Sequence, residues 1–256
     1  MKRHIPNTIT LANLYCGCLA TLALGYAIFI KIETFFSLRS DYNGIVDFKF
    51  LFKIITLLIF LSLLFDFADG LVARMLNVKS ALGAQLDSLA DMVTFGVFPG
   101  FLMLFLIPVE INSKGDFNYF IFSGLLITMF SALRLAKFNI KDVEEENFRG
   151  LAVPANTLFI LSLALIKIFD PKSFLTPLID NTGFLLIVTF LSCYFLVSSI
   201  PMFSFKMNHF GFSANIHRYL FLIISLILLV SFKLVALPLI IALYIVLSIL
   251  FKKKIA

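Results

Sequence analysis

Eight apolar stretches, each close to the length that crosses a bilayer, succeed one another along this chain. They lie near residues 8–30, 51–75, 85–109, 117–138, 153–169, 183–201, 216–232 and 234–251. A spanning helix needs about 20 apolar residues, and in lipid every backbone polar group must be paired within the protein, which helices achieve internally. The pattern predicts an all-α, polytopic transmembrane bundle of about eight spans with both termini on one side. Composition agrees: 61% of the 256 residues are hydrophobic and 14% are charged, whereas soluble domains carry about 25% charged residues.

In such a chain the net charge of +6 reads through the positive-inside rule rather than as a nucleic-acid footprint. With a cytoplasmic N-terminus, 13 of the 21 basic residues fall on inside segments. Among them are Lys2, Arg3, Arg74, Lys79, Arg134, Lys137, Lys141, Arg149, Lys206, Arg218 and the run Lys252 to Lys254. Of the other eight, Lys31, Arg39, Lys49 and Lys53 gather around the first external loop. The terminal lysines suit anionic headgroups or act as a simple stop signal. The opening Met1-Lys2-Arg3-His4 resembles a signal-peptide start, but the apolar run behind it exceeds the usual ~7–15 residues and is expected to be the first helix. Cys16, Cys18 and Cys193 have no metal-like spacing and are expected to be free core thiols.

The chemistry is concentrated between Asp66 and Asp91. The stretch DFADGLVARMLNVKSALGAQLDSLAD sets Asp66 and Asp69 three apart, then Gly70, Ala73 and Arg74, then Gly83, and finally Asp87 and Asp91 four apart. On helices these spacings put Asp66, Asp69, Gly70 and Ala73 on one stripe and Asp87 and Asp91 on another. If the chain reverses between them, four carboxylates converge. An ionisable group at the centre of a membrane helix costs roughly 2.5–3.5 kcal/mol on insertion scales, and less near an interface. Divalent cations are the simplest compensation, and an all-oxygen set favours Mg, Mn or Ca. The small residues leave clearance for a bulky ligand, and Arg74 offers a planar fork for phosphate. Metal, phosphate and clearance together point to a nucleotide diphosphate. Helix-end acids paired with Lys79 and Arg74 are the plainer alternative.

The spacing D-x2-D-G-x2-A-R-x8-G-x3-D-x3-D resembles the signature of the CDP-alcohol phosphatidyltransferases, integral membrane enzymes of phospholipid synthesis. That resemblance implies two divalent ions held by Asp66, Asp69 and Asp87, with Asp91 as general base and a further metal ligand. It also implies a CDP group seated by Gly70, Ala73 and Arg74, beside Gly83. Pro6-Asn7, Thr10, Asn13 and Gly17 form P-N-x2-T-x2-N-x3-G, which is similar to the opening of the family's phosphatidylserine synthase branch. A capped helix start explains part of it, yet Asn13 and Gly17 also give a polar handle beside a small-residue notch. Arg134-Leu135-Ala136-Lys137-Phe138-Asn139 resembles that branch's R-L-A-R-F-N, with Lys137 keeping charge but losing the bidentate fork. Arg134 or Lys137 would meet a serine carboxylate or a lipid phosphate. Arg149 to Asn156 resembles G-L-P-x-P-A with Ala152 at a proline position, and Ser198 to Lys206 resembles the exit from the sixth span.

The resemblance implies one membrane-embedded domain over 1–256, with a catalytic core over about 5–206 and two packing helices over about 216–251. Its substrates would be CDP-diacylglycerol from the membrane lipids and L-serine, meeting at a site on the cytoplasmic face, and homodimers are common in the family. The reaction expected is metal-assisted in-line displacement giving phosphatidylserine and CMP, since no Ser, Cys or His is visibly activated as a covalent nucleophile. The same chemistry on glycerol 3-phosphate or an inositol phosphate is the alternative. An ion-coupled transporter, with the acids as a cation path, is a more distant one. Residues 31–50 and 110–116 are expected to be external loops, with Asp41, Asp47, Glu110 and Asp116 solvated. Asp142, Glu144, Glu145 and Glu146 are expected to form a solvated patch, and His4, His209 and His217 have no metal spacing.

Overall fold

The computed structural model describes residues 4–37, 47–78, 80–109, 118–140, 149–203 and 212–252. Lys79, Lys141, the acidic patch from Asp142 to Glu146, Lys206, His209 and most of the two long loops lie outside the described residues.

Ten α-helices make up the described chain: α1 (Ile5–Ser37), α2 (Phe48–Met75), α3 (Ala81–Asp91), α4 (Phe98–Leu106), α5 (Leu125–Ile140), α6 (Val153–Phe169), α7 (Thr176–Ile179), α8 (Thr182–Val197), α9 (Phe212–Phe232) and α10 (Ala236–Leu250). A π-helical turn, Met92–Val97, joins α3 to α4, and a 3-10 turn, Tyr119–Gly124, leads into α5. Five helical stretches are long and apolar enough to cross a membrane, and Val153–Phe169 and Thr182–Val197 are shorter apolar helices. The last long stretch is broken at Lys233, whose φ is +49°. It folds back there: Phe221 of α9 and Tyr244 of α10 face each other edge-on at 6.0 Å. The chain is an all-α integral membrane protein.

α2 explains how a membrane helix delivers acids to the interior. Its buried residues are Phe52, Ile55, Ile59, Ser62 and Asp69, a single stripe. Leu57, Phe60, Leu64 and Phe67 are exposed on the outer side, where lipid rather than water suits them. The inner stripe packs on α1, with Ser62 Oγ donating to the Asn13 carbonyl at 3.2 Å. The register that buries Phe52 and Ile59 therefore carries Asp69 inward at the far end.

Three predicted boundaries differ from the structure, at the end of α1, the start of α2 and the end of α8. Residues 31–37 continue α1 rather than forming a loop. Lys31 reaches back to the end of α4, Nζ donating to the carbonyls of Phe105 at 2.6 Å and Ile107 at 2.7 Å. A helix leaves its last carbonyls unpaired and negatively polarised, so an ammonium is held there rather than in solvent. Asp47 is the N-cap of α2, its Oδ1 accepting from Lys49 N at 2.9 Å and Phe50 N at 3.2 Å; it is exposed but engaged. The sixth predicted span also stops early, at Val197, where the chain turns extended.

Most buried apolar residues form one cluster from Ala20 and Leu24 of α1 to Leu185 and Leu196 of α8, centred on Phe95, Phe98 and Leu102. A smaller cluster joins Phe203, Phe221 and Leu247. Its rings are tied down by Tyr244, whose hydroxyl donates to the Phe203 carbonyl at 3.0 Å. The three cysteines are free, Cys16 and Cys193 buried and Cys18 partly so.

Candidate active site

The reversal between the two acid pairs has a clear local cause. At the end of α2, Asn77 takes φ +52°, with Asn77 N donating to Arg74 O at 3.2 Å and Val78 N to Ala73 O at 3.0 Å. This pair of bonds is the Schellman motif, in which Asn takes the left-handed position more often filled by Gly. Ser80 then caps α3, its Oγ accepting from Gly83 N at 2.9 Å. Two helix-end devices within seven residues bring the second acid pair against the first.

Asp66, Asp69 and Asp87 each offer a carboxylate oxygen within 4.8 Å of the other two. Asp91, one helical turn on from Asp87, stands close enough to Asp66, Asp87 and Asp69 for their charges to act on it. The quartet therefore converges, with Asp91 on its inner side. Asp69 is 6% exposed and is fixed by Thr10, whose hydroxyl donates to Asp69 Oδ2 at 2.5 Å. Oδ1 of Asp87 and Oδ1 of Asp91 are buried without a hydrogen-bond partner among the described residues. Buried acceptors left unpaired are costly, and clustered carboxylates with oxygens to spare match the needs of a hard divalent cation.

Beside the acids lies a cleft of about 290 Å³ lined by Pro6, Asn7, Thr10, Asp69, Gly70, Ala73, Val78, Ser80, Gly83, Ala84 and Asp87. It contains three of the four residues expected at the nucleotide. A Cβ on Gly70 would meet nothing within 4 Å, so that position opens on free volume. Arg74 is the exception. It is exposed, its Nε donating to the Gly70 carbonyl at 3.0 Å, and it does not line the cleft.

The acceptor candidates fare unequally. Arg134 is 9% exposed, its Nε buried without a partner among the described residues, and Asp91 is the carboxylate near enough for its charge to act on it. Lys137 is exposed on the last turn of α5. Near it Asn139 accepts from Ser88 Oγ at 3.0 Å, tying α5 to α3 one residue from Asp87. Asn13 is fully buried, with neither amide atom hydrogen-bonded among the described residues. Gly17 is the notch the sequence suggested: a Cβ there would lie 2.9 Å from Thr94 Cα, so α1 presses against the π-turn.

A model of the CDP-alcohol phosphatidyltransferase family matches residues 3–253. The chain belongs to that family. Among curated relatives, a CDP-diacylglycerol–serine O-phosphatidyltransferase of Methanocaldococcus jannaschii is 37% identical over 123 residues, 48% of this chain and 56% of that protein. One of the same name from Bacillus subtilis is 33% identical over 151 residues, 59% of this chain and 70% of the relative. An archaetidylserine synthase of Methanothermobacter thermautotrophicus is 34% identical over 120 residues, 46% and 48%. The matched stretch thus spans about half the length of most of these relatives. CDP-alcohol phosphatidyltransferases use divalent metals, and the aspartate cluster suits one.

Several family motifs that are distant in sequence meet in the fold. Gly150 N donates to Ile200 O at 2.9 Å and Leu151 N to Phe195 O at 2.8 Å, joining the Arg149 to Asn156 element to the end of the sixth span. Gly150 has φ +76°, and a Cβ would stand 2.8–3.1 Å from three carbonyl oxygens of Phe195, Leu196 and Ser198, so only glycine fits. Other contributions had no local signal. The π-turn directly after Asp91 is held from two sides, Thr128 Oγ1 donating to Gly96 O at 3.0 Å and Thr157 Oγ1 to Phe95 O at 3.0 Å. Such turns free main-chain carbonyls and gather near functional sites. Thr10 had a signal, a hydroxyl in the P-N-x2-T motif, but its partner 59 residues away did not follow from it.

Proposed function

We propose that this chain transfers a phosphatidyl group from CDP-diacylglycerol to L-serine, giving phosphatidylserine and CMP. The observation that carries the reading is the meeting of Asp66, Asp69, Asp87 and Asp91 beside a cleft floored by Gly70, Ala73 and Gly83. The family match and the activity for which the relatives are named support it.

In this reading Asp66, Asp69 and Asp87, with Asp91, hold two divalent ions, Mg, Mn or Ca. When bound, such ions offset the diphosphate charge and polarise the phosphoryl group. Thr10 keeps Asp69 turned toward the cluster. Gly70, Ala73 and Gly83 let the cytidine diphosphate approach backbone closely, and Arg74, one helical turn on from Gly70, would turn to meet the phosphates. Serine binds in the inner half of the site toward Arg134, with Asn13 and Lys137 as further contacts. A serine hydroxyl is a weak nucleophile near neutral pH, and Asp91 takes its proton as the oxygen attacks in line. The CMP oxygen departs on the opposite side, into the cleft.

The catalytic core spans about 5–206, with α9 and α10 packed against it. The protein is a homodimer in an inner or cell membrane, with the aspartates facing the cytoplasm, where serine is available. The deciding experiment supplies membranes holding the protein with CDP-diacylglycerol and one alcohol at a time, and measures CMP release. L-Serine should drive it, while glycerol 3-phosphate and inositol phosphate should not. Release with glycerol 3-phosphate alone would overturn the acceptor assignment.

A further inference from the structure

The reading above makes no use of the basic residues on the face away from the aspartates. Lys31 is engaged at the end of α4, but Lys49 and Lys53 are exposed, four residues apart on the first turns of α2. Among the described residues neither forms an ion pair. Asp47, the acid at that end of α2, is turned to the backbone as its cap. Snorkelling lysines at a helix end need no further explanation by themselves; what lies beneath these two is the added observation. Lys53 stands at the rim of an open groove of about 550 Å³, whose other lining residues are Thr56, Leu57, Phe60, Leu165, Phe169 and Leu234.

Lys53, Thr56, Leu57 and Phe60 fall at i, i+3, i+4 and i+7 and so share one stripe of α2. Leu165 and Phe169 come from α6, and Leu234 from the turn between α9 and α10. The Thr56 hydroxyl is already donated to Phe52 O at 2.6 Å, which leaves the Lys53 ammonium as the groove's free polar group. A cationic rim over an apolar trough, on a surface that faces lipid, complements a molecule with a negative head and a hydrocarbon tail.

We propose that this groove holds an anionic glycerophospholipid, with its phosphate at Lys53 and Lys49 and an acyl chain along Leu57, Phe60, Leu165 and Phe169. Sixteen residues of unbroken α2 separate Lys53 from Asp69, about 24 Å at 1.5 Å per residue. The occupant therefore sits in the leaflet opposite the aspartates and is distinct from the lipid substrate. It wedges α2 against α6 and the α9–α10 turn, and gives a purpose to positive charge that the positive-inside rule would place on the other side.

The test is native mass spectrometry of the full chain, released from micelles containing equal amounts of phosphatidylglycerol and phosphatidylcholine. The wild type should retain phosphatidylglycerol in roughly thirtyfold preference, the scale expected for two lysines near a membrane surface. Lys49→Gln with Lys53→Gln should bring the two lipids close to parity, and Leu57→Trp, which fills the trough from an exposed position, should reduce retention of both. CMP release should stay normal in the lysine variant, separating this site from the aspartate site. Equal retention by the wild type, or a preference that survives the lysine substitutions, would overturn the proposal. So would efficient disulfide cross-linking between two chains through Phe60→Cys, because the groove would then belong to a second copy.

Discussion

At the scale of single residues, the account divides the four aspartates by environment. Asp91 lies on the inner side, beside Asp66 and near Arg134, where an acceptor hydroxyl would arrive. Asp91→Asn should lower turnover by about 10²–10⁴-fold, the usual contribution of a general base, while equilibrium binding of CDP-diacylglycerol persists. Near-normal turnover would show that another group takes the proton. Asp69 depends on Thr10, and a hydrogen bond to a charged group is worth about 1.5–3 kcal/mol. Thr10→Val should therefore raise the half-saturating Mn concentration by about 10–100-fold, and Thr10→Ser should restore it. An unchanged metal requirement in Thr10→Val would mean the contact orients nothing. The identity and spacing of the acids were legible in the sequence because short-range helical geometry fixes them. The partner of Thr10 was not, since a contact across 59 residues is set by how α1 lies on α2.

At the scale of elements, the same division holds. The span positions and the first-turn proline of α6 follow from hydropathy and end chemistry that a sequence displays, whereas the reversal between the acid pairs, only a condition in the spacing, rests on the caps at Asn77 and Ser80. The π-turn after Asp91 does not, because its stability comes from hydroxyls on two other helices. Thr157→Val would release the Phe95 carbonyl into a dry interior, at about 1–3 kcal/mol. It should lower both the unfolding temperature and the turnover number, with Thr157→Ser restoring both; thermal scans alongside CMP release decide it. Lys31 illustrates the converse error. Counted as an external loop charge, it instead closes the end of α4, because a long ammonium side chain reaches carbonyls 74 and 76 residues away. Lys31→Met should lower the unfolding temperature by about 2–8 °C and leave the serine KM unchanged, since the aspartates lie at the opposite end of the bundle.

For the molecule as a whole, packing and chemistry share one register. The stripe of α2 that buries Phe52, Ile55 and Ile59 against α1 also turns Asp69 inward, so the helix cannot rotate to relieve its acids without exposing its core. Phe195 in the last turn of the sixth span and Ile200 just beyond it are strapped by main-chain bonds to Leu151 and Gly150 before the fifth, which holds the motif-bearing ends together. Gly150→Ala should reduce the yield of folded protein in membranes, as φ +76° and three carbonyls at 2.8–3.1 Å leave no room for a methyl group. The arrangement makes sense only if the four converging carboxylates share more positive charge than Arg134, beside Asp91, can supply. The most direct test is anomalous scattering from crystals grown with Mn and CDP-diacylglycerol. Manganese peaks should lie among the oxygens of Asp66, Asp69, Asp87 and Asp91, in contact with the diphosphate. A diphosphate bound in the cleft with no metal density between it and those aspartates would contradict the account.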